Sequence, residues 1–215
     1  MSDHDDHDDD DDHDHDGRPR GKPTAPKIML IRHAEKPEDN PPPHGIDTDG
    51  DHDDESLTVR GWQRAGALAV LLAPSAGPLQ NNALATPRFV FASRLDKKNG
   101  SDRPQQTVTP LIDKLGKAVR VNFEIGIGEE SDLAAAAIAC DGVVLISWAH
   151  GEIPAIVRCL PLSRETAAAV PVVWPDARFD LVWVFNLDGA ANEYRFSQQP
   201  QLLLSGDKPA REAAG

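Results

Sequence analysis

The stretch that decides the fold is KIMLIRHAEKP, residues 27–37. Its first part, KIMLI, is a short apolar run, which is typical of a strand buried in a sheet. The run leads directly into Arg32 and His33, so the carboxyl end of the predicted strand carries a cation and an imidazole. A second stretch, VVLISW (143–148), is the most hydrophobic in the chain and predicts a central strand, and it is followed by His150.

Predicted strands and helices alternate along the chain. Thr58 is expected to cap a helix whose apolar spacing continues until Pro74 stops it. The other predicted elements are strands at residues 88–93, 119–123, 181–187 and 193–197 and helices at 104–115, 133–139 and 152–160. Strands that alternate with helices favour an α/β layer fold.

The negative charge is concentrated at the N-terminus. Residues 3–16 contain ten Asp and four His and no cation, so most of the formal charge of −13 lies there. We expect residues 1–26 to form a disordered acidic tail with a Gly/Pro-rich linker, and residues 201–215 to be flexible. The chain shows neither the clustered positive charge of a nucleic-acid-binding domain nor an apolar run of membrane-spanning length.

Two further features concern the surroundings in which the protein works. The acidic N-terminus does not resemble a secretory signal. Cys140 and Cys159 form neither a CxxC pair nor a disulfide framework, so we expect two buried thiols in a reducing compartment. Together these features predict a cytoplasmic protein. The Asp/His tail is either a solubilising extension or a weak binder of divalent metals such as Zn²⁺, Ni²⁺ or Cu²⁺.

The residues suited to chemistry follow predicted strands. Arg32 and His33 follow the first strand, His150 follows residues 143–148, and Arg103 lies beyond the strand at 88–93. Because ligands of open α/β sheets bind at the carboxyl ends of the strands, we expect these side chains to converge on one rim. Guanidiniums hold phosphoryl oxygens in a planar fork, and a neutral imidazole among them can be a nucleophile.

Four ordered motifs carry a family resemblance: IRHAEKP (31–37), SLTVRGWQRAGAL (56–68), FAS…SDRPQQT (91–107) and LISWAHGEIP (145–154). The sequence resembles the histidine phosphatase superfamily, which includes phosphoglycerate mutases and small phosphohistidine phosphatases. That family has RHG or RHA after its first strand, a helix beginning LTxxGxxxA, an R-x-x-Q-T helix and a second His after a later strand. The resemblance implies a phosphoglycerate mutase-like, three-layer α/β/α fold with a mostly parallel central sheet, formed by residues 27–200.

The resemblance also implies the roles of the site residues. His33 would attack phosphorus and become phosphohistidine, Arg32 and Arg103 would hold phosphoryl oxygens, and a cationic His150 would hold another. No cofactor or metal is implied, because two guanidiniums and an imidazolium can supply the positive charge that Mg²⁺ supplies in kinases.

The leaving oxygen needs a proton, which a carboxylic acid could supply. Glu152 is the first candidate, because some branches of the family carry their donor just after the second His, and Glu35 is the alternative. A purely structural role for Glu152 at the start of a helix, where an acid stabilises the helix dipole, stays open. Arg64 and Asp180 are expected to be structural.

We therefore expect a phosphatase that hydrolyses a phosphomonoester or phosphoramidate through His33, acting on a small phosphorylated metabolite or a phosphoprotein. The alternative is a non-catalytic protein that binds a phosphorylated ligand or handles divalent metals through its tail. The acidic loop 38–56 follows the nucleophile. If it lies over the pocket, it should repel polyanions and favour small monophosphates or phosphorylated sites on basic peptides.

Overall fold

The computed structural model describes residues 22–38, 42–95 and 101–209 of the 215-residue chain. The strands are β1 (Lys27–Arg32), β2 (Phe89–Ala92), β3 (Arg120–Asn122), β4 (Val144–Trp148), β5 (Leu181–Asp188) and β6 (Glu193–Pro200). The helices are α1 (Val59–Leu72), α2 (Arg103–Leu115), α3 (Glu130–Ile138), α4 (Ile153–Arg158) and α5 (Arg164–Ala169), and a 3₁₀ turn (Gly116–Ala118) follows α2.

The six strands form one sheet in the order β3-β2-β4-β1-β5-β6. The pairs among β3, β2, β4 and β1 are parallel, whereas β5 and β6 run antiparallel to their neighbours. In the central pair Arg32 lies opposite Trp148, and the His33 N–H donates to the Trp148 carbonyl at 3.1 Å. The chain segments that follow β1 and β4 therefore leave the sheet side by side.

Helices cover both faces of the sheet. Ile28 and Leu30 of β1 belong to the core that α3 and α4 complete, while Met29 and Ile31 belong to the core that α1 and α2 complete. This division follows from the two-residue period of a strand, which sends alternate side chains to opposite faces. The α/β fold, its three layers and its mostly parallel sheet are confirmed, and β4 lies at the centre as predicted.

The elements differ from the sequence prediction mainly at their ends. Thr58 caps α1 as expected and accepts the Gly61 N–H at 3.2 Å. Helix α3 begins three residues earlier than predicted, α4 is shorter, and β6 continues to Pro200. Helix α5 was not predicted, because none of its residues is buried and its sequence therefore has no apolar periodicity.

The packed region is longer than residues 27–200 at both ends. Ala25, expected in the linker, is fully buried, and its N–H donates to the Ile138 carbonyl at 3.2 Å. Residues 201–209, expected to be flexible, lie against the domain because the buried guanidinium of Arg64 binds Gln201 and Asp207. Residues 1–21 and 210–215, and with them the Asp/His tail, lie outside the described residues.

Two observations bear on the surroundings of the protein. Within the described ranges, no helix has both the length and the apolar character needed to cross a membrane. Cys140 and Cys159 are free thiols, but they are partly exposed rather than buried as expected. Partial burial raises the pKa of the Cys140 thiol to about 11 and also raises that of Cys159, which favours the protonated thiol of both at neutral pH.

Candidate active site

His33 lies just past the end of β1 and is only 6% exposed. Its Nδ1 is 2.8 Å from the carbonyl oxygen of Ala34. This geometry places the ring proton on Nδ1 and leaves the lone pair on Nε2 available. Burial lowers the pKa of His33 to about 3, so the ring is neutral at pH 7 and can act as a nucleophile.

The predicted site residues gather around this imidazole. After burial, which has the largest effect, the hydrogen bond to Ala34 raises the pKa of His33, whereas Arg32, Arg103 and, when it is protonated, His150 lower it. Burial lowers the pKa of Arg32 to about 10, the charges of Asp176 and Glu35 oppose this effect, and the charge of Arg103 adds to it. Arg32 therefore stays cationic at neutral pH. Four of the five residues proposed from the sequence thus share one region at the carboxyl ends of β1 and β4.

Arg32 is held by the loop that precedes β5. Its Nη1 donates to the carbonyl oxygen of Asp176, and its guanidinium carbon lies 3.8 Å from the centre of the Phe179 ring. Its Nε is buried and has no hydrogen-bond partner among the residues described. A buried donor without a partner is costly, so an incoming oxygen ligand would relieve that cost.

Arg103, the first residue of α2, is held by the end of the acidic loop. Its Nη2 donates to the carbonyl of Asp54, its Nε donates to the carbonyl of Ser56 at 3.3 Å, and its Nη2 lies 3.6 Å from Glu55 Oε2. Burial lowers the pKa of Arg103, and the neighbouring acids oppose that effect. Residues 54–56 at the end of the acidic loop thus lie beside Arg103, and the carboxylate of Glu55 faces its guanidinium.

The R-x-x-Q-T motif ties these parts together. Thr107 Oγ1 accepts the Ala34 N–H at 2.8 Å and donates to the Arg103 carbonyl at 2.7 Å. Gln106 Oε1 accepts the Leu57 N–H at 2.8 Å. Helix α2 therefore positions the backbone after the nucleophile and the segment that leads into α1.

His150 is paired with a residue that the sequence did not single out. Its Nε2 lies 3.1 Å from Oδ1 of Asp176. Burial lowers the pKa of His150, and Arg32 and Lys36 lower it further, whereas Asp176 raises it. In the unliganded protein, burial and the nearby cations therefore disfavour the cationic form of His150 that was expected, and Asp176 favours it.

The two candidate proton donors have different surroundings. The carboxylate of Glu35 is bound by Arg60 Nε at 3.1 Å and by Arg64 Nη2 at 2.8 Å. Glu152 is partly buried, caps α4 without a side-chain hydrogen bond, and is not among the residues that line the cavity. The structure therefore places Glu35 in a cationic network, whereas Glu152 is not part of the cavity wall.

A cavity of about 810 Å³ opens beside these residues. Arg32 and His150 line it, whereas His33 and Arg103 do not. Its wall also contains Asp176 and Phe179 from the loop before β5 and Lys208 from the C-terminal segment. Sequence reasoning missed these three residues, since neither segment has a motif or an apolar period that would connect it with the strand ends.

Arg64 has the structural role expected of it. Its side chain is buried between Glu35 and Asp207, with Nη2 2.7 Å from Asp207 Oδ1. Asp180 is also structural and is bound by Arg178 Nε at 2.6 Å. Among the described residues, no three His, Cys, Asp or Glu side chains are grouped so that they could hold a metal ion.

Comparison with known proteins gives limited likenesses. No protein-family model matches the chain, and no curated protein matches it. The chain is similar in structure to SixA from Agrobacterium tumefaciens, described as a candidate phosphohistidine phosphatase, with 18% identity and a TM-score of 0.47 over 80% of this chain and 96% of that one. It is also similar to mycobacterial hydrolase 2, with 14% identity and a TM-score of 0.41 over 87% of this chain and 93% of that one. A third likeness is to a mycobacterial glucosyl-3-phosphoglycerate phosphatase, with 15% identity and a TM-score of 0.38 over 81% of this chain and 97% of that one. At these identities and TM-scores the likenesses carry no conclusion about activity.

Proposed function

We propose that the protein is a phosphatase of the histidine phosphatase type, which hydrolyses a phosphomonoester or a phosphoramidate through a phosphohistidine on His33. The observation that supports this most strongly is the state of His33, a buried imidazole whose pKa is lowered mainly by burial and further by the charges of Arg32 and Arg103. A tetrahedral dianion is the ligand that such surroundings favour, and a neutral ring nitrogen is the group that can attack it.

In the first step the lone pair of His33 Nε2 attacks phosphorus. The N–P bond forms while the bond from phosphorus to the leaving oxygen or nitrogen breaks. Arg32 and Arg103 neutralise the phosphoryl oxygens, and His150 binds another and takes up a proton as the dianion raises its pKa. Fixed donors of this kind, directed at charge that develops in the transition state, are typically worth about 3–4 kcal/mol each.

In the second step water attacks phosphorus on its side opposite His33. The N–P bond breaks, neutral His33 is regenerated, and inorganic phosphate leaves. The leaving group of the first step needs a proton, and the attacking water must lose one. Glu152 remains our first candidate for both transfers, because the oxygens of Glu35 already accept hydrogen bonds from Arg60 and Arg64.

The experiment is hydrolysis of p-nitrophenyl phosphate in the presence of EDTA, with acid-labile phosphoenzyme measured after rapid quenching. His33→Gln should abolish both signals, whereas His52→Gln, at an exposed histidine outside the site, should retain them. Since Arg32 and Arg103 supply the positive charge, turnover should persist in EDTA. Full activity of His33→Gln, or phosphate binding without any turnover in the wild type, would contradict the proposal.

The tail and the proton donor are tested with two additional variants. A chain that begins at Gly17 should hydrolyse p-nitrophenyl phosphate at the wild-type rate if the tail is a solubilising extension. We expect the enzyme to act in the cytoplasm.

The proton donor is tested with Glu152→Gln. This variant should slow hydrolysis of an alkyl phosphate far more than hydrolysis of p-nitrophenyl phosphate, because nitrophenolate leaves without a proton. The same selectivity in Glu35→Gln, and not in Glu152→Gln, would assign the donor role to Glu35.

A further inference from the structure

The cavity beside His150 is much larger than one phosphoryl group. Its volume of about 810 Å³ lies in the range of pockets that hold whole small-molecule ligands. If the proposed function holds, the phosphoryl group occupies the end near Arg32 and His150. The rest of the cavity is then available to the leaving group, and its charges select that group.

Most acidic side chains of the cavity wall are already paired. Glu35 and Asp207 bind Arg64 at 2.8 and 2.7 Å, and Asp180 binds Arg178 at 2.6 Å. The carboxylate of Asp176 is 3.1 Å from His150. Asp176 and Glu38 are the two lining carboxylates that have no Lys or Arg nitrogen within 4.0 Å among the described residues.

The cationic side chains of the wall are not all paired. Arg32, Lys36 and Lys208 line the cavity, and none of them lies within 4.0 Å of a carboxylate among residues 22–38, 42–95 and 101–209. Lys36 is close enough to the phosphoryl site for its charge to act on His150. These three cations exceed the two lining carboxylates that have no Lys or Arg partner, so the unpaired charge of the described wall is positive, even though the chain as a whole is strongly acidic.

Lys208 is attached to a fixed backbone. Its N–H donates to Asp180 Oδ2 at 2.9 Å, and its carbonyl accepts Arg178 Nη2 at 2.9 Å. The neighbouring Asp207 is anchored on buried Arg64. The C-terminal segment thus holds the backbone of Lys208 at the wall, within reach of the cavity for its side chain.

The described acids of the acidic loop do not cancel this charge. Of its described acids only Glu38 lines the cavity, while Glu55 lies at Arg103. The expected repulsion of polyanions required the loop to lie over the pocket with its acids facing the ligand. The lining residues favour the opposite selectivity.

We propose that the leaving group of the substrate carries a second anionic group, a carboxylate or a second phosphate, which Lys36 and Lys208 bind while the transferred phosphoryl group lies at Arg32 and His150. This inference rests on the proposed function and specifies its substrate class, a small phosphorylated metabolite with two anionic ends. Lysine ammonium groups on flexible stems suit either anion, because they act as point charges.

The test compares 4-carboxyphenyl phosphate with its neutral isostere 4-carbamoylphenyl phosphate at low salt. The wild type should prefer the carboxylate ester in kcat/KM by about three- to tenfold, mainly through KM, and salt should reduce the preference. The double variant Lys36→Met with Lys208→Met should bring the ratio near one, whereas Lys114→Met, at an exposed lysine of α2 outside the cavity, should leave it unchanged. Because each ratio is measured within one preparation, partial unfolding of a variant does not alter it.

Two results overturn the inference in distinguishable ways. Equal or slower turnover of the carboxylate ester by the wild type, or a preference that survives in the double variant, refutes the second anionic site and leaves the proposed phosphatase activity standing. Absence of His33-dependent turnover of both esters refutes the proposed function and the inference with it.

Discussion

Replacement of Arg64 by Met tests how the C-terminal segment is attached to the site. The Arg64 side chain is 2% exposed and bridges Glu35, two residues after the nucleophile, to Asp207. Its Nη1 also donates to Gln201 Oε1 at 3.0 Å. Met fills much of the space of the guanidinium stem, so the main consequence of Arg64→Met is the loss of positive charge at this point.

The magnitude follows from the burial of the partners. The Asp207 side chain is 4% exposed. Burial by itself would raise the pKa of this carboxyl, and the hydrogen bonds from Arg64 and from the N–H groups of Leu203 and Leu204 more than compensate and lower it. Removal of one partner of a buried ion pair costs about 3–5 kcal/mol. Since the two N–H bonds persist in Arg64→Met, we expect a loss of about 3 kcal/mol, near the lower end of that range.

The assay is urea unfolding at pH 7, with Arg60→Met as the matched control. Arg60 binds the same Glu35 at 3.1 Å but is 45% exposed, so its removal should cost less than about 1 kcal/mol. Arg64→Met combined with Asp207→Asn should recover part of the loss, because no unpaired buried charge remains. If Arg64→Met were no more destabilising than Arg60→Met, the buried network would not be what attaches residues 201–209.

Three further predictions concern the nucleophile, its neighbours and the start of α1. His33 has a pKa of about 3 when folded and about 6.5 when unfolded. The unfolded state therefore binds more protons between these values, and stability should fall as pH decreases through that window by up to about 1.4 kcal/mol per unit. In urea unfolding His33→Gln should reduce this slope, and an unchanged slope would show that the ring is not buried in neutral form. Asp176→Asn should lower the pKa of His150 further, because it leaves burial and the nearby cations unopposed, and a ring titration by NMR that did not move would contradict the pairing. Gly61→Ala should destabilise the fold by about 1–3 kcal/mol in thermal or urea unfolding, since its new Cβ would lie 2.4 Å from a backbone carbonyl oxygen. Gly66→Ala, in the same helix with open space around it, should be neutral or stabilising by up to about 1 kcal/mol, and equal effects would contradict this account.

The sequence alone was sufficient for the layers of the fold and for the positions of Arg32 and His33 at the end of a central strand. The runs at 27–31 and 143–148 predict buried strands, and the period of α1 predicts a helix ended before Pro74, because burial repeats every two residues in a strand and about every 3.6 in a helix. Parallel neighbours bring their carboxyl ends to one edge, so Arg32 and His33 were expected to lie near the segment after β4. The structure places them there.

Only the tertiary structure decided the electrostatic state of the site and the extent of the domain. Whether His150 is charged depends on how deeply it is buried and on Asp176, which lies on another loop. Likewise, Asp207 is part of the packed domain because it forms an ion pair with Arg64, a residue that is distant in the sequence. Local patterns report which backbone conformation buries apolar side chains, but pKa values and ion pairs depend on desolvation and on distances between segments, which exist only once the chain has packed.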